Sequence, residues 1–130
     1  MSDLKCTVVT PDATVYDDTI EFVALTLYDG EIGIAAGRSP LIGRLGAGEM
    51  RITHKGNVAR YFVDRGFVEV VDNKVTVLTH EAIPVEELDT FVLQTKLDDA
   101  KERLAETPEE VAKRDALIAE YQAKLRVAAK

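Results

Sequence analysis

Phe67-Val68-Glu69-Val70-Val71-Asp72-Asn73-Lys74-Val75-Thr76-Val77-Leu78-Thr79 sets the class of the first two thirds of this chain. Val68 and Val70 alternate with Glu69, Val75 and Val77 alternate with Thr76, and Asp72-Asn73 turns between the two runs. A period of two with a two-residue turn is the pattern of a β-hairpin with one buried face.

Upstream the same texture repeats. His54-Lys55-Gly56-Asn57 reads as a hairpin turn into a strand over residues 58–63, preceded by the short strands Leu41-Ile42 and Met50-Arg51-Ile52-Thr53 around Gly46-Ala47-Gly48. Residues 5–10 are β-branched and end at Pro11-Asp12, and Val15-Tyr16 begins a second strand. Residues 20–27 carry apolar side chains on both parities, so that strand is covered on both sides or has an appendage on its back. Between these lies Asp29-Gly30-Glu31-Ile32-Gly33-Ile34-Ala35-Ala36-Gly37-Arg38-Ser39-Pro40-Leu41, whose glycines and proline mark a very short strand followed by a tight excursion. It is either a plain surface loop or a rigidly presented contact loop, with Glu31 and Arg38 as its charged tips. Many short strands with closely spaced turns point to an antiparallel sandwich or barrel.

The texture changes at Pro84, after which there is no glycine and Ala, Leu, Glu, Lys and Arg dominate. A first helix runs from there to about Ala105, with Glu86, Glu87 and Asp89 at its positive end. Thr107-Pro108-Glu109-Glu110 starts a second, with Thr107 as N-cap, Pro108 at N1 and Glu110 completing a capping box. The short connection predicts an antiparallel helical hairpin, Leu93, Leu97, Ala100 and Leu104 facing Ala112, Ala116, Ala119 and Ala123. A second apolar face on the last helix, Val111, Ile118, Tyr121 and Leu125, lies about 140° from the alanines and needs another surface to dock on. That surface is the β part of the chain or a partner.

Composition excludes much of the rest. The chain has 130 residues, 23 acidic against 16 basic, and a net charge of −7, which argues against nucleic-acid binding and direct attraction to anionic lipid. One cysteine allows no internal disulfide, and no 20-residue apolar span or secretory signal is apparent, so a soluble protein of a reducing compartment is expected. His54 and His80 lack ligand-spaced neighbours apart from Glu81, so no metal is expected. Cys6 reads as a buried small hydrophobe, and Asp17-Asp18 and Asp98-Asp99 as solvated charge. Gly46-Ala47-Gly48 lacks the third glycine of a dinucleotide fingerprint and the Lys-Ser/Thr of a phosphate loop. No catalytic constellation or cofactor site emerges, and a binding or adaptor module outranks an enzyme.

Taken in order, Val8-Val9-Thr10-Pro11-Asp12, the Asp29–Leu41 stretch, Gly66-Phe67-Val68-Glu69-Val70, Val75-Thr76-Val77-Leu78 and the two-helix tail resemble the epsilon subunit of F-type (proton-translocating) ATP synthases over essentially the whole chain. The resemblance implies an N-terminal antiparallel β-sandwich of about ten short strands (residues 1–84, rotor-binding) and a C-terminal antiparallel two-helix hairpin (residues 85–130, regulatory). It implies a non-catalytic central-stalk subunit bound to the gamma subunit and the c ring. The hairpin would extend to the alpha/beta catalytic head and brake ATP hydrolysis. On it, Glu31 and Gly37-Arg38-Ser39-Pro40 match the loop that meets the c ring, although the family usually has His at Arg38 and Leu-Pro at Ala35-Ala36. Asp64-Arg65 stand where a small residue and a glycine are commoner. Lys113, Arg114, Lys124 and Arg126 are placed for the head, and Val111, Ile118, Tyr121 and Leu125 for docking of the hairpin. Of the nucleotide-binding motif of some relatives only Leu88-Asp89 remain, Val92 and Leu93 replacing its Arg and Ala, so no tight ATP site is expected. Membrane association would run only through the complex, on the cytoplasmic face of a bacterial inner membrane; a plastid stromal face is the lesser alternative. The rival class is a free-standing β-sandwich adaptor or small-ligand binder.

Overall fold

The computed structural model describes residues 3–130, and the chain divides into two compact units, Met1–Pro84 and Val85–Lys130. The first holds eight strands: β1 (Leu4–Val9), β2 (Thr14–Ile20), β3 (Phe22–Leu27), β4 (Gly30–Ala35), β5 (Leu41–Arg44), β6 (Gly48–His54), β7 (Asn57–Val71) and β8 (Lys74–Pro84). They pair in the order β2-β1-β8-β7-β6-β3-β4, with β5 also on β7, and all pairs are antiparallel except β1 with β8.

The two long strands explain how one hydrogen-bonded path makes two layers. β7 pairs with β6 through Val63, and with β5 from Phe67 onward. β8 follows it throughout, from Val71↔Lys74 to Tyr61↔Pro84. The first layer is therefore β2, β1, the start of β8, the end of β7, and β5. The second is the end of β8, the start of β7, β6, β3 and β4. Counted by layer these are ten strand segments, the sandwich expected from the sequence, although residues 58–63 and 67–71 are one strand rather than two.

The crossing point is Arg65-Gly66. Arg65 has φ +58° and Gly66 φ +118°. A Cβ at Gly66 would lie 1.9 Å from the Leu78 carbonyl oxygen, so only glycine fits there. Buried Thr79 sits opposite, its Oγ1 2.8 Å from the Arg65 carbonyl oxygen, 3.0 Å from that of Asp64 and 3.1 Å from that of Glu81. The single hydroxyl proton of Thr79 can be donated to any one of these three carbonyls bordering the bend. Both two-residue hairpin turns adopt left-handed backbone as their residues allow: Asp72 and Asn73 at φ +50° and +60°, Lys55 and Gly56 at +52° and +79°.

Alternation then fills the space between the layers. Leu4, Cys6 and Val8, Val23 and Leu25, Met50 and Ile52, Val68 and Val70, and Val75 and Val77 point inward and are buried in one core cluster. Burial pushes the Cys6 thiol up to about 12, with the Asp17 carboxylate adding to it, so it behaves as an inert apolar side chain.

The first helix of the second unit starts later than its sequence suggests. Pro84 still pairs with Tyr61, a 3-10 turn covers Val85–Glu87, and α1 runs Thr90–Glu102 with Asp89 as N-cap. α2 runs Pro108–Ala128, and Thr107 Oγ1 accepts the Glu110 N–H at 3.1 Å. The return half of the capping box is displaced, since Glu110 Oε2 accepts the N–H of Glu106 at 3.2 Å rather than that of Thr107.

The facing stripes need correction. Leu93, Leu97 and Ala100 are buried as the periodicity predicts, but α1 ends before Leu104, which is 85% exposed. Ala112, Ala116 and Ala119 are exposed, while Ala123, Lys124 and Val127 are buried and Leu117 and Tyr121 half-buried. Larger side chains win the inner face because each removes several times more apolar surface from water than a methyl group. Lys124 buries its stem and keeps its ammonium on Glu120 at 3.0 Å.

Candidate interaction surfaces

The loop singled out from the sequence is tied to the β7–β8 turn at Gly37. Gly37, at φ +86°, donates its N–H to Asn73 Oδ1 at 2.7 Å, and the Asn73 carbonyl accepts the Lys5 N–H at 2.9 Å. The Gly37 turn, the β7–β8 turn and the start of β1 thus form one tied rim, from which Arg38, Ser39 and Pro40 are exposed. Glu31 does not share that rim. It lies near the opposite end of β4, about 13 Å along the strand from Ala35 at ~3.3 Å per residue.

Glu31 is also not a free charge. Arg51 Nη2 reaches its Oε1 at 2.8 Å, Arg51 Nη1 reaches Glu49 Oε1 at 2.7 Å, and Arg60 closes on Glu49 Oε2. Arg51 and Arg60 stand directly opposite each other on β6 and β7, which alone would be repulsive. Buried Glu49, 6% exposed, lies between them and makes the pair cohesive. Burial raises the Glu49 carboxyl, but hydrogen bonds and charge from Arg51 and Arg60 outweigh it, leaving it below its ordinary range. Arg51 is correspondingly raised, first by its hydrogen bonds to Glu49 and Glu31. A charge ladder, Glu31–Arg51–Glu49–Arg60, therefore crosses the outer face of the second layer.

The outer face of the first layer is its opposite. Register places Arg44 beside Phe67, Phe67 beside Leu78, and Leu78 beside Val9, in one row across four strands. Phe67 is 55% and Leu78 52% exposed, and Ile42, one step along β5, is 73% exposed. A contiguous exposed apolar row of this kind marks an interaction site on a soluble protein. Sequence reasoning missed it, although the signal was present: Phe67-Val68, Val77-Leu78 and Val8-Val9 each place large apolar residues on both parities.

On the hairpin, Lys113 and Arg126 are exposed. Arg114 lies 3.4 Å from Asp115, and Lys124 is buried on Glu120, so the four cations do not form one patch. Val111, Ile118, Tyr121 and Leu125 are each half-buried. Asp89 spends its Oδ1 on capping, accepting the N–H groups of Phe91 at 3.0 Å and Val92 at 3.1 Å. Among the described residues no group of three or more His, Cys, Asp or Glu is disposed to hold a metal, and no helix is long and apolar enough to cross a membrane.

Comparison with known proteins gives these surfaces a setting. A family model for the β-sandwich domain of the ATP synthase delta/epsilon chain matches residues 3–85. The chain is 43% identical over 123 residues to the ATP synthase epsilon chain of Rhodopirellula baltica, covering 95% of this chain and 96% of that one. It is 33% identical over 130 residues to the sodium ion specific ATP synthase epsilon chain of Propionigenium modestum, covering 98% and 95%. In fold it matches a chain of the Euglena gracilis mitochondrial ATP synthase with TM-score 0.76 and 22% identity, over 99% of this chain and 79% of that one. A chain of the Tetrahymena thermophila mitochondrial ATP synthase central stalk and c ring matches with TM-score 0.73 and 12% identity, over 98% and 97%. With the family's sandwich in the first unit and a helical hairpin in the second, this chain belongs to the ATP synthase epsilon chain family.

Proposed function

We propose that the protein is the non-catalytic epsilon subunit of a rotary ATP synthase, joining the gamma subunit and the c ring in the central stalk. The observation that carries this reading is family membership along 95% of the chain, coupled to a sandwich face that leaves Ile42, Phe67 and Leu78 in water. Docking gamma on that row recovers about 1.5–3 kcal/mol for each large apolar side chain fully covered. The rim Gly37-Arg38-Ser39-Pro40, and Glu31 at the far end of β4, are the parts offered to the c ring. Arg38 is exposed there on a loop tied by Asn73, so contact costs little ordering entropy.

Val85–Lys130 acts in this reading as the regulatory unit. Lys113 and Arg126 are the cations available to the alpha/beta head, whereas Arg114 and Lys124 must first leave Asp115 and Glu120. Val111, Ile118, Tyr121 and Leu125 supply the face that changes partners. The complex sits on the cytoplasmic face of a bacterial membrane, in keeping with the bacterial relatives. With Asp89 engaged in capping and the Val92 side chain offering no donor, the brake responds to the rotor rather than to bound ATP.

Deletion of residues 85–130 tests both parts. The truncated subunit is expected to remain on membranes carrying the ATP synthase and to support ATP synthesis, with ATP hydrolysis raised several-fold. Full-length chain that does not co-purify with those membranes overturns the rotor assignment, and unchanged hydrolysis overturns the brake.

A further inference from the structure

Among the described residues of the sandwich, Arg38, Arg44, Lys55 and Lys74 have no ion pair, and of these Arg44 is the one held over an aromatic ring. Arg51 and Arg60 are clamped by Glu49, and Arg65 Nε lies 3.5 Å from Asp64 Oδ2. Arg44, at the end of β5, has no ion pair among the described residues; its guanidinium lies 4.9 Å from the ring centroid of Tyr28. Tyr28 and Phe67 flank a depression of about 570 Å³ that Arg44 lines with them, and all three are exposed. The backbone beneath is anchored, Tyr28 N–H donating to the Arg44 carbonyl at 2.8 Å and Leu45 N–H to the Gly66 carbonyl at 2.9 Å. A guanidinium stacked on a ring keeps its N–H edge free in a fixed plane, the geometry that receives a carboxylate in a bidentate pair. In a chain of net charge −7, this is a local positive point at the end of an apolar row.

We propose that the Tyr28–Arg44–Phe67 corner is a carboxylate receptor, taking an Asp or Glu side chain of the partner subunit that docks on the outer face of the first layer. This rests on the assignment of that face to a stalk partner. A protein carboxylate fits better than a free anion because the corner continues into Phe67, Leu78 and Ile42. Only a partner carrying apolar surface beside its acid covers both. The corner thereby fixes where along the row the partner stops, since an apolar stripe has little directional preference and a guanidinium–carboxylate pair has much.

The test is rebinding of the full-length chain to ATP synthase depleted of it, across a range of salt concentrations. Arg44→Met, which keeps the stem and removes the charge, is expected to melt with the wild type and bind about 10- to 100-fold more weakly. Its affinity should also depend less steeply on salt. Arg44→Lys keeps the charge without the fork and should fall between the two. Reversal of one acidic residue of the partner to Lys is expected to restore binding of Arg44→Glu. Wild-type affinity and salt slope in Arg44→Met overturn the receptor while leaving the rotor assignment intact. Failure of the wild type to rebind overturns both. Saturable binding of inorganic phosphate by the isolated chain, lost in Arg44→Met, makes the corner a small-anion site and sinks the protein carboxylate.

Discussion

The two outer faces of the sandwich are built on the same β7–β8 pair and solve opposite problems. On the second layer Glu31, Arg51, Glu49 and Arg60 satisfy one another, and the ladder leaves no strong unmet interaction. On the first, Phe67, Leu78 and Ile42 are exposed beside an Arg44 that no carboxylate among the described residues answers. Proximity to an edge does not explain the difference, because Phe67 and Leu78 lie on central strands. One face contributes to the free energy of the folded chain; the other holds its free energy for an encounter. Self-satisfied charge is the mark of structure, and unsatisfied apolar surface with an unpaired cation is the mark of recognition.

Both faces depend on the bend that separates the layers, so Gly66→Ala is the change of largest expected effect. A methyl group 1.9 Å from the Leu78 oxygen, on backbone at φ +118°, forces the strands apart. Backbone strain and loss of local pairing together should cost about 3–5 kcal/mol, read from urea unfolding. A loss below about 1 kcal/mol would mean the layers are not coupled through this residue.

Next comes the ladder. Glu49→Gln should cost about 1–3 kcal/mol, less than the ~3–5 for a wholly buried pair, because Arg51 and Arg60 keep 37% and 30% of their side chains in water. The Glu49 carboxyl is lower in the folded chain than unfolded, so its contribution is full above the ordinary carboxylate range and is lost as pH falls through the folded value. Unfolding followed from pH 7 down to pH 3 should show the wild type losing its advantage over Glu49→Gln. An unchanged gap would remove the ladder from the stability account.

The smallest effect on stability belongs to the other face. Phe67→Ser and Leu78→Ser should each change stability by about 0.5 kcal/mol or less, since these side chains are already half in water. They should nevertheless weaken rebinding to depleted ATP synthase by roughly tenfold or more. A change in stability without a change in binding would reverse the roles assigned to the two faces.

Much of this architecture was legible beforehand because it is local. The 68–77 alternation, the Asp72-Asn73 and Lys55-Gly56 turns, the boundary after Pro84 and the Thr107 cap each follow from dihedral preferences and periodicity within a few residues. The alanine stripe misled for a related reason. Periodicity states which residues share a face but not which face is buried, and three of four alanines lost theirs to larger side chains. Glu31 illustrates the same limit in the sheet. It reads as a bare charged tip, yet Arg51, twenty residues away, holds it.

The sequence by itself determined that this chain is a β-sandwich followed by a helical hairpin, where its turns and caps fall, and which family it resembles. Tertiary structure alone decided that β7 and β8 run unbroken through both layers, because Gly66 and Thr79 meet only when the strands pair. It also decided that Glu49 joins two opposed arginines and that Arg44 is left unanswered beside Phe67. The physical reason is one of range. Backbone preference acts over neighbouring residues, whereas charge compensation and exposure depend on which distant residues cross-strand register brings together.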